Sequence, residues 1–431
     1  MSKYFKIRSP VSQYLLLFLL YLLFSKSAGT HNRSYYIYWI KSLLEGNLLS
    51  LYHVDNSDAQ TQKEDLTVPY PPASLYLLGA VCKFLLIFMK DSDSTYIFGI
   101  NIVGILCTFA TAILLGKFQS ESTLKTGYRY LYFPAVILIS PILGFQDTIF
   151  SFFVLLTLFN ISKSRYVLVG IGSALSIWSK QLALMPIAGL LIVFFFQTPK
   201  LMLLRFALAF SSFSAVILSP FILTGNFFSY LESQTLTSVH TMFSAQASNY
   251  PWLISIFIRI FTEDKSQILS LNGNGLRLED PVLRQACYIG AGILTVIIFM
   301  TWLIIWSKKI QLKNIEPGYA AALIAATYNL FNFGVHENHV YMLLPLLYVL
   351  TRDKRMKWAF YSASTALAVQ LLATNALGDS FSKIAPLTSS NPLLYVVLSI
   401  FCVIGFSVSF FFLFTSNPMK LNESSTTEGL K

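Results

Sequence analysis

Apolar residues run along this chain in long unbroken stretches, and polar residues are confined to the short gaps between them. Tyr96–Leu115 and Asn391–Phe414 are two such stretches. Neither carries the polar stripe that a helix half-covered by water shows at a period of 3.6 residues. At about 1.5 Å per helical residue, stretches of this kind reach across a hydrocarbon core about 30 Å thick. The pattern predicts a first helix over 11–26, then apolar segments at 73–89, 95–115, 130–143, 148–161, 166–178, 182–197 and 203–223. Beyond an outer loop holding a short apolar piece (251–261), segments follow at 286–306, 317–333, 340–350, 358–374 and 391–415. The expected fold class is an all-α integral membrane bundle of about 10–13 apolar segments. It forms a single transmembrane domain over 1–431.

Several of these segments are too short to cross alone. Pro134, Pro141 and Pro186 lie inside or at the ends of such pieces, so broken and re-entrant helices are expected. Between the first helix and residue 73 runs a long polar first outer loop, 27–72. Its Tyr35-Tyr36-Ile37-Tyr38-Trp39, with Leu43 and Leu44 a turn later, reads as a juxtamembrane amphipathic helix lying along the water–lipid boundary and ended by Gly46. Residues 224–285 form a second outer loop region and 416–431 a cytoplasmic tail.

Composition sharpens the class. Of 431 residues, 55% are hydrophobic and 12% charged, and mean hydropathy is +0.61. Soluble domains carry about 25% charged residues, so a large soluble helical protein is excluded. The net charge of +11 suggests nucleic acid, and its distribution refutes that. Lys3/Lys6/Arg8, Lys117/Lys125/Arg129, Lys163/Arg165, Lys200/Arg205, Lys308/Lys309/Lys313 and Arg352/Lys354/Arg355/Lys357, with Lys420 and Lys431, hold 19 of the 31 basic residues and only 5 of the 20 acidic ones. That asymmetry puts these loops in the cytoplasm. Asp147, Lys180, 224–285 and His336–His339 then fall on the outer face. One conflict of parity arises at 73–89, where Lys83 lies mid-segment; a partial crossing resolves it. The four cysteines sit in or beside apolar runs and read as small buried hydrophobes. The N-terminus has a basic start and an apolar stretch without a convincing cleavage site, and reads as an uncleaved first helix.

Polar residues embedded among apolar runs are the candidates for chemistry. Gly144-Phe145-Gln146-Asp147 and Ser179-Lys180-Gln181 each interrupt such a run, and Val335-His336-Glu337-Asn338-His339 sits between two spans. The first loop contributes His53, Asp55, Asp58, Glu64 and Asp65, then Tyr70-Pro71-Pro72. Each has a plain alternative: Asp147 as a cap for a helix starting at Thr148, Lys180 as a snorkelling lysine, the His-Glu-Asn-His group as a solvated loop. Tyr70-Pro71-Pro72 reads as structural, because proline suits the first turn of a helix. The histidines are three apart, whereas helical zinc pairs favour i, i+4. No metal and no cofactor is assigned, and no nucleotide-binding signature appears.

A long outer loop after helix one closing on Tyr70-Pro71-Pro72, a Gln146-Asp147 pair after a proline-bearing helix, Lys180-Gln181 before another, and a late Val335-His336-Glu337-x-His339 together resemble the GT-C superfamily of membrane glycosyltransferases. Two branches are closest in pattern: bacterial mannosyltransferases related to the second GPI mannosyltransferase, and dolichyl-phosphate-glucose glucosyltransferases. The resemblance runs from about residue 10 to 350. It implies inverting, metal-independent transfer of a hexose of mannose or glucose type from a polyprenyl-phosphate donor. The acceptor is a lipid-linked or glycan hydroxyl on the periplasmic or lumenal face. The motif departs at Asn32, where these enzymes carry an acid about seven positions before an aromatic such as Trp39. The general base is then sought at Asp147, Asp55 or Asp58. Lys180, Gln181, Gln146, His336, Glu337, His339 and Asn32 are expected to bind substrate, with Lys180 as the point charge for phosphate. A lipid-linked sugar flippase or transporter, a polysaccharide polymerase and a non-catalytic subunit of a complex stay open as alternatives. The transporter lacks the internal repeat such folds show. The expected setting is a bacterial plasma membrane, with the endoplasmic reticulum as the alternative; Asn32-Arg33-Ser34 is a sequon on the outer side.

Overall fold

The computed structural model describes residues 10–25, 32–52, 68–118, 123–238, 247–261, 281–375 and 392–419. The first half of the chain forms α1 (Pro10–Phe24), α2 (Asn32–Leu44), α3 (Pro72–Leu85), α4 (Asp93–Phe118), α5 (Thr123–Leu131), α6 (Pro134–Ile137), α7 (Asp147–Ser162), α8 (Tyr166–Ser179), α9 (Leu184–Gln197) and α10 (Lys200–Leu223). The second half forms α11 (Phe227–Ser238), α12 (Tyr250–Phe261), α13 (Pro281–Ser307), α14 (Pro317–Phe331), α15 (Leu343–Val349), α16 (Lys354–Thr374) and α17 (Pro392–Thr415). Among the described residues the only β pairing is an isolated bridge between Ile315 and Met419. The fold is the expected all-α membrane bundle.

Helix length divides the bundle into two sets. Four helices are long and apolar enough to cross a membrane: α4, α10, and nearly all of α13 and α17. The last three turn mainly toward lipid, with 22%, 28% and 33% of their apolar windows buried, whereas 67% of the α4 window is buried. The second set, α3, α7, α8, α9 and α14, has 14 to 16 residues per helix. At 1.5 Å per residue these span about 21–24 Å, several ångströms short of the hydrocarbon thickness. The site candidates stand at the ends of this short set.

The two ends of the bundle separate the charges as the loop count requires. At one end Arg352 donates to the Phe118 carbonyl (2.8 Å), Tyr348 to the Thr126 carbonyl (2.8 Å) and Gln197 to the Ile315 carbonyl (2.6 Å). The Glu316 amide donates to Pro418 (2.8 Å), tying the end of α17 to the same face. The basic loops therefore converge there. At the other end lie the starts of α3 and α7, the end of α8, and the connection that follows α14.

Two expectations need correction. The segment 130–143 is not one span. Proline breaks it into α5, the single turn of α6, and a π-helical turn over Leu138–Ile142 with Pro141 inside. The amphipathic helix α2 exists and ends near Gly46 (φ +89°), yet it does not float on the lipid boundary. Tyr36, Trp39 and Ile40 are buried against the protein. Finally, α3 stops at Leu85 with Lys83 exposed. Lys41 of α2 lies 2.8 Å from Asp93 at the start of α4, so the chain is back on the side of the first loop when α4 begins, in line with the partial crossing inferred from charge parity.

Packing among the short helices leaves little slack. A Cβ on Gly189 of α9 would come within 2.6 Å of the Ala320 carbonyl oxygen on α14. Gly189→Ala is therefore expected to push the pair apart and cost about 1–3 kcal/mol, read as a lower unfolding temperature of the purified protein, while Gly290→Ala, inside a helix and in open space, is expected to leave it level or raise it slightly. Sidedness has its own test. In a cysteine-free background, Lys309→Cys and Ser229→Cys both present exposed thiols; an impermeant maleimide on intact cells is expected to label only Ser229→Cys. Labelling of Lys309→Cys would invert the topology.

Candidate functional site

The helix break at Pro141 delivers the first candidate. Proline has no amide hydrogen, so the turn widens and its bonds lengthen in register: Leu143 N–H reaches the Leu138 carbonyl (2.8 Å) and Phe145 N–H the Ile139 carbonyl (3.0 Å). Gly144 then takes a φ of +69°, a conformation glycine adopts without steric cost, and the chain reverses into α7. Asp147 is the first residue of α7, where the helix dipole favours an anion. It is 1% exposed.

The second candidate reaches the same point from a second break. Helix α8 ends at Ser179 and Lys180 turns extended before a 3-10 turn, Gln181–Ala183, that leads into α9. Lys180 Nζ lies 2.9 Å from Asp147 Oδ1, and both side chains are at least nine-tenths buried. The other carboxylate oxygen, Oδ2, accepts from Asn338 Nδ2 at 2.5 Å. Residues 33 and 191 positions apart in sequence thus share one carboxylate. Burial works against the charge on Lys180, and the carboxylate of Asp147 outweighs it, so the ammonium pKa stands above its ordinary value. Neither bland reading holds for these two. Asp147 spends both oxygens on other segments, and Lys180 points into protein.

Aromatic rings wall the pair. Lys180 Nζ sits 5.2 Å from the Tyr70 ring centroid and 5.7 Å from that of Phe150, within the range of cation–π attraction. Tyr70 stacks on Tyr36 (6.2 Å, 7°) and meets Trp39 edge-on (6.1 Å). The buried face of α2 therefore packs behind the ring that covers the cation. Pro71 and Pro72 play the structural part expected of them, at the N-cap and first turn of α3. Two further bonds fix this corner: Ser74 Oγ donates to the Ser179 carbonyl (3.0 Å), and Gln181 Nε2 donates to the Pro69 carbonyl (2.9 Å) and to Gln234 Oε1 (2.6 Å). Gln181 is spent holding the first loop and α11 to the break. Gln146 is buried, with its Nε2 on the Gly144 carbonyl (3.3 Å).

The late cluster opens a 3-10 turn over Glu337–Met342. The His336 amide donates to His339 Nδ1 (3.3 Å), and the two rings lie 5.2 Å apart, so part of their role is to close this turn. Glu337 points elsewhere. It is buried, with Oε1 3.5 Å from Asn375 Nδ2, and its Oε2 has no hydrogen-bond partner among the described residues. Burial pushes its carboxyl up to about 7 from an ordinary 4.5. Of the remaining expectations, Asp55 and Asp58 lie outside the described residues. Asn32 opens α2.

The structure thus joins Asp147 to Lys180 and ties the His336–His339 turn to them through Asn338. It gives a place at the pair to two residues that the sequence named without a binding role, Asn338 and Tyr70, the latter having been read as structural. Asn338 carried a signal: an amide in the middle of a cluster already singled out, in a setting where idle polar groups are costly.

No family model matches the chain, and no curated protein matches it. Solved structures that are similar include ArnT from Cupriavidus metallidurans in the apo state, at 12% identity and a TM-score of 0.49, covering 95% of this chain and 78% of that one. The Archaeoglobus fulgidus oligosaccharyltransferase in its apo form is similar at 11% identity and a TM-score of 0.46, covering 97% of this chain and 57% of that one. Likenesses this distant leave the function to be read from the site's own residues.

Two measurements follow from the buried pair and from Glu337. Removing one partner of a buried ion pair costs about 3–5 kcal/mol, because the other charge is stranded. Asp147→Asn and Lys180→Met are each expected to lower the unfolding temperature, and the double variant to recover most of the loss; strictly additive losses would mean the two do not interact. For Glu337 the folded pKa is above the unfolded one. Between about 4.5 and 7 the native state holds a proton that the unfolded state has lost, so stability falls as pH rises through that window and levels off above it. Glu337→Gln is expected to flatten this slope in a thermal-unfolding series against pH.

Proposed function

We propose that this chain is an inverting membrane glycosyltransferase. It transfers a hexose of mannose or glucose type from a polyprenyl-phosphate donor to a hydroxyl of a lipid-linked or glycan acceptor on the periplasmic or lumenal face. The observation that carries the reading is the Asp147–Lys180 pair: a carboxylate and a cation 2.9 Å apart, buried where two broken helices of the short set meet. These are the two groups that displacement of a lipid phosphate from an anomeric carbon requires. The order of the motifs along the sequence supports the same class.

In this reading the resting protein keeps the two groups neutralised against each other. The phosphate of an arriving donor supplies Lys180 with a new anion, and the ammonium exchanges Asp147 for it. Lysine suits this role as a compact point charge on a flexible stem. Asp147 then loses its counter-charge while Asn338 still holds Oδ2, which leaves Oδ1 directed at the acceptor. The acceptor oxygen attacks the anomeric carbon, the carbon–oxygen bond to phosphate breaks, and the phosphate departs with the electron pair, held by Lys180. The hydroxyl proton passes to Asp147. A phosphate leaving group has a second pKa near 6 and needs a cation more than a general acid. Pairing base and phosphate site in this way makes the base available only when donor is present, which protects the donor from water.

The test uses purified protein in lipid with radiolabelled polyprenyl-phosphate sugars. Loss of a positioned general base costs about 10²–10⁴-fold in rate, so Asp147→Asn is expected to drop turnover by that factor with donor binding intact. Loss of a charged hydrogen bond costs about 1.5–3 kcal/mol, so Lys180→Ala is expected to weaken donor use by roughly tenfold to a hundredfold. Near-normal turnover of Asp147→Asn, with a large loss in Asp55→Asn or Asp58→Asn, would move the base to the first loop. If no polyprenyl-phosphate sugar is used by the unmodified protein, the proposal fails.

A further inference from the structure

The end of the bundle opposite the candidate site carries a feature that the proposed chemistry leaves unused. Between α16 and α17 an apolar groove of about 520 Å³ opens toward lipid, lined among others by Trp358, Tyr361, Thr365, Phe401, Ile404 and Phe412. The helices are in contact at its floor, where Ser362 Oγ donates to the Gly405 carbonyl at 2.8 Å. Its lining on α17 runs from residue 401 to residue 412, so the groove extends about 16 Å along the helix axis. Trp358 is 58% exposed, Phe401 49% and Ile404 58%. A groove of this length with exposed apolar walls accommodates a hydrocarbon chain.

Charge identifies the kind of chain. The α16 lining residues 358, 361 and 365 follow one helical stripe, and Lys354 continues that stripe one turn toward the basic end of the bundle. Lys357 adds a second charge there, with its Nζ 5.9 Å from the Tyr361 ring centroid. Both lysines are exposed, and so is Arg355 beside them. Asp353 caps α16 by accepting from the Arg355 amide (2.6 Å), and Glu316 lies on the neighbouring loop of this end, with its amide on Pro418. Positive side chains at the mouth outnumber these acids, and the mouth sits at the cytoplasmic boundary set by the basic loops.

We propose that the α16–α17 groove is a binding site for an anionic phospholipid of the cytoplasmic leaflet, its acyl chain along Trp358, Tyr361, Phe401 and Phe412 and its headgroup phosphate held by Lys354 and Lys357. The aromatic rings mark the depth at which the headgroup begins, as tryptophan and tyrosine do at membrane boundaries. The site is independent of the reaction proposed for the opposite face.

Fluorescence quenching by brominated lipids tests it on the full chain in nanodiscs. The Trp358 signal is isolated by difference from Trp358→Phe. Dibromo phosphatidylglycerol is expected to half-quench Trp358 at a mole fraction roughly tenfold lower than dibromo phosphatidylcholine, given the attraction of each lysine for an anionic surface. Lys354→Gln/Lys357→Gln is expected to bring the two lipids level while leaving phosphatidylcholine quenching as it was. Ile404→Trp, which fills the groove, is expected to reduce quenching of Trp358 by both. Equal quenching by the two lipids in the unmodified protein overturns the proposal, as does a preference that survives the double lysine change. Quenching by neither lipid also overturns it, and would mean that another copy of the chain covers the groove.

Discussion

A charged pair sunk among apolar helices is the constraint around which one half of this molecule is built. Lysine and aspartate are costly inside a bilayer and tolerable there only together. Their union at 2.9 Å, with Asn338 on the remaining oxygen, pins three distant parts of the chain to one spot: the start of α7, the end of α8 and the turn after α14. Everything nearby secures that arrangement. The π-helical turn and Gly144 aim Asp147, the Ser74 hydroxyl holds the end of α8, and Gln181 with Gln234 anchors the first loop across it. The wall of Tyr70, Tyr36 and Trp39 keeps water from dissolving the pair.

Much of this was legible in the chain before folding was considered. Hydrophobic run length and loop charge gave the class, the gathering of the basic loops at one end and most helix positions, because the bilayer imposes one-dimensional rules on a sequence. The same reasoning picked out Asp147, Lys180 and the His336–His339 group, since each breaks an apolar run. It did not show that Asp147 and Lys180 are partners. That is a fact about which helix ends meet, and no local pattern encodes a contact between residues 33 positions apart. Asn338 was passed over for the same reason: its importance lies in the oxygen it faces. The three-piece form of 130–143 was half visible. Pro134 and Pro141 announced a break, and the geometry of the break required backbone bonds to be counted.

The role of α2 shows how a correct element can be given the wrong neighbour. Its aromatic face has the composition of an interfacial anchor. In the folded protein those rings find Tyr70 first, and burying them against α3 is what carries the first loop to the site. A helix with a sticky face lies on lipid only if no protein surface is available to it.

The shortness of the site-bearing helices has a consequence for the membrane itself. A bilayer meets this protein partly along mainly apolar helices of 23 to 26 residues and partly near a set whose length is about 21–24 Å. Lipid beside the short set must thin, or water must follow the protein downward, and each ångström of such mismatch costs a fraction of a kcal/mol. The molecule therefore stands in its membrane as a shallow dimple does in a sheet, and under the function proposed above a donor lipid drifting toward it would find its headgroup already lowered toward Lys180. Bilayer thickness, a property of the host membrane and of no residue in the chain, then sets how deep that dimple is.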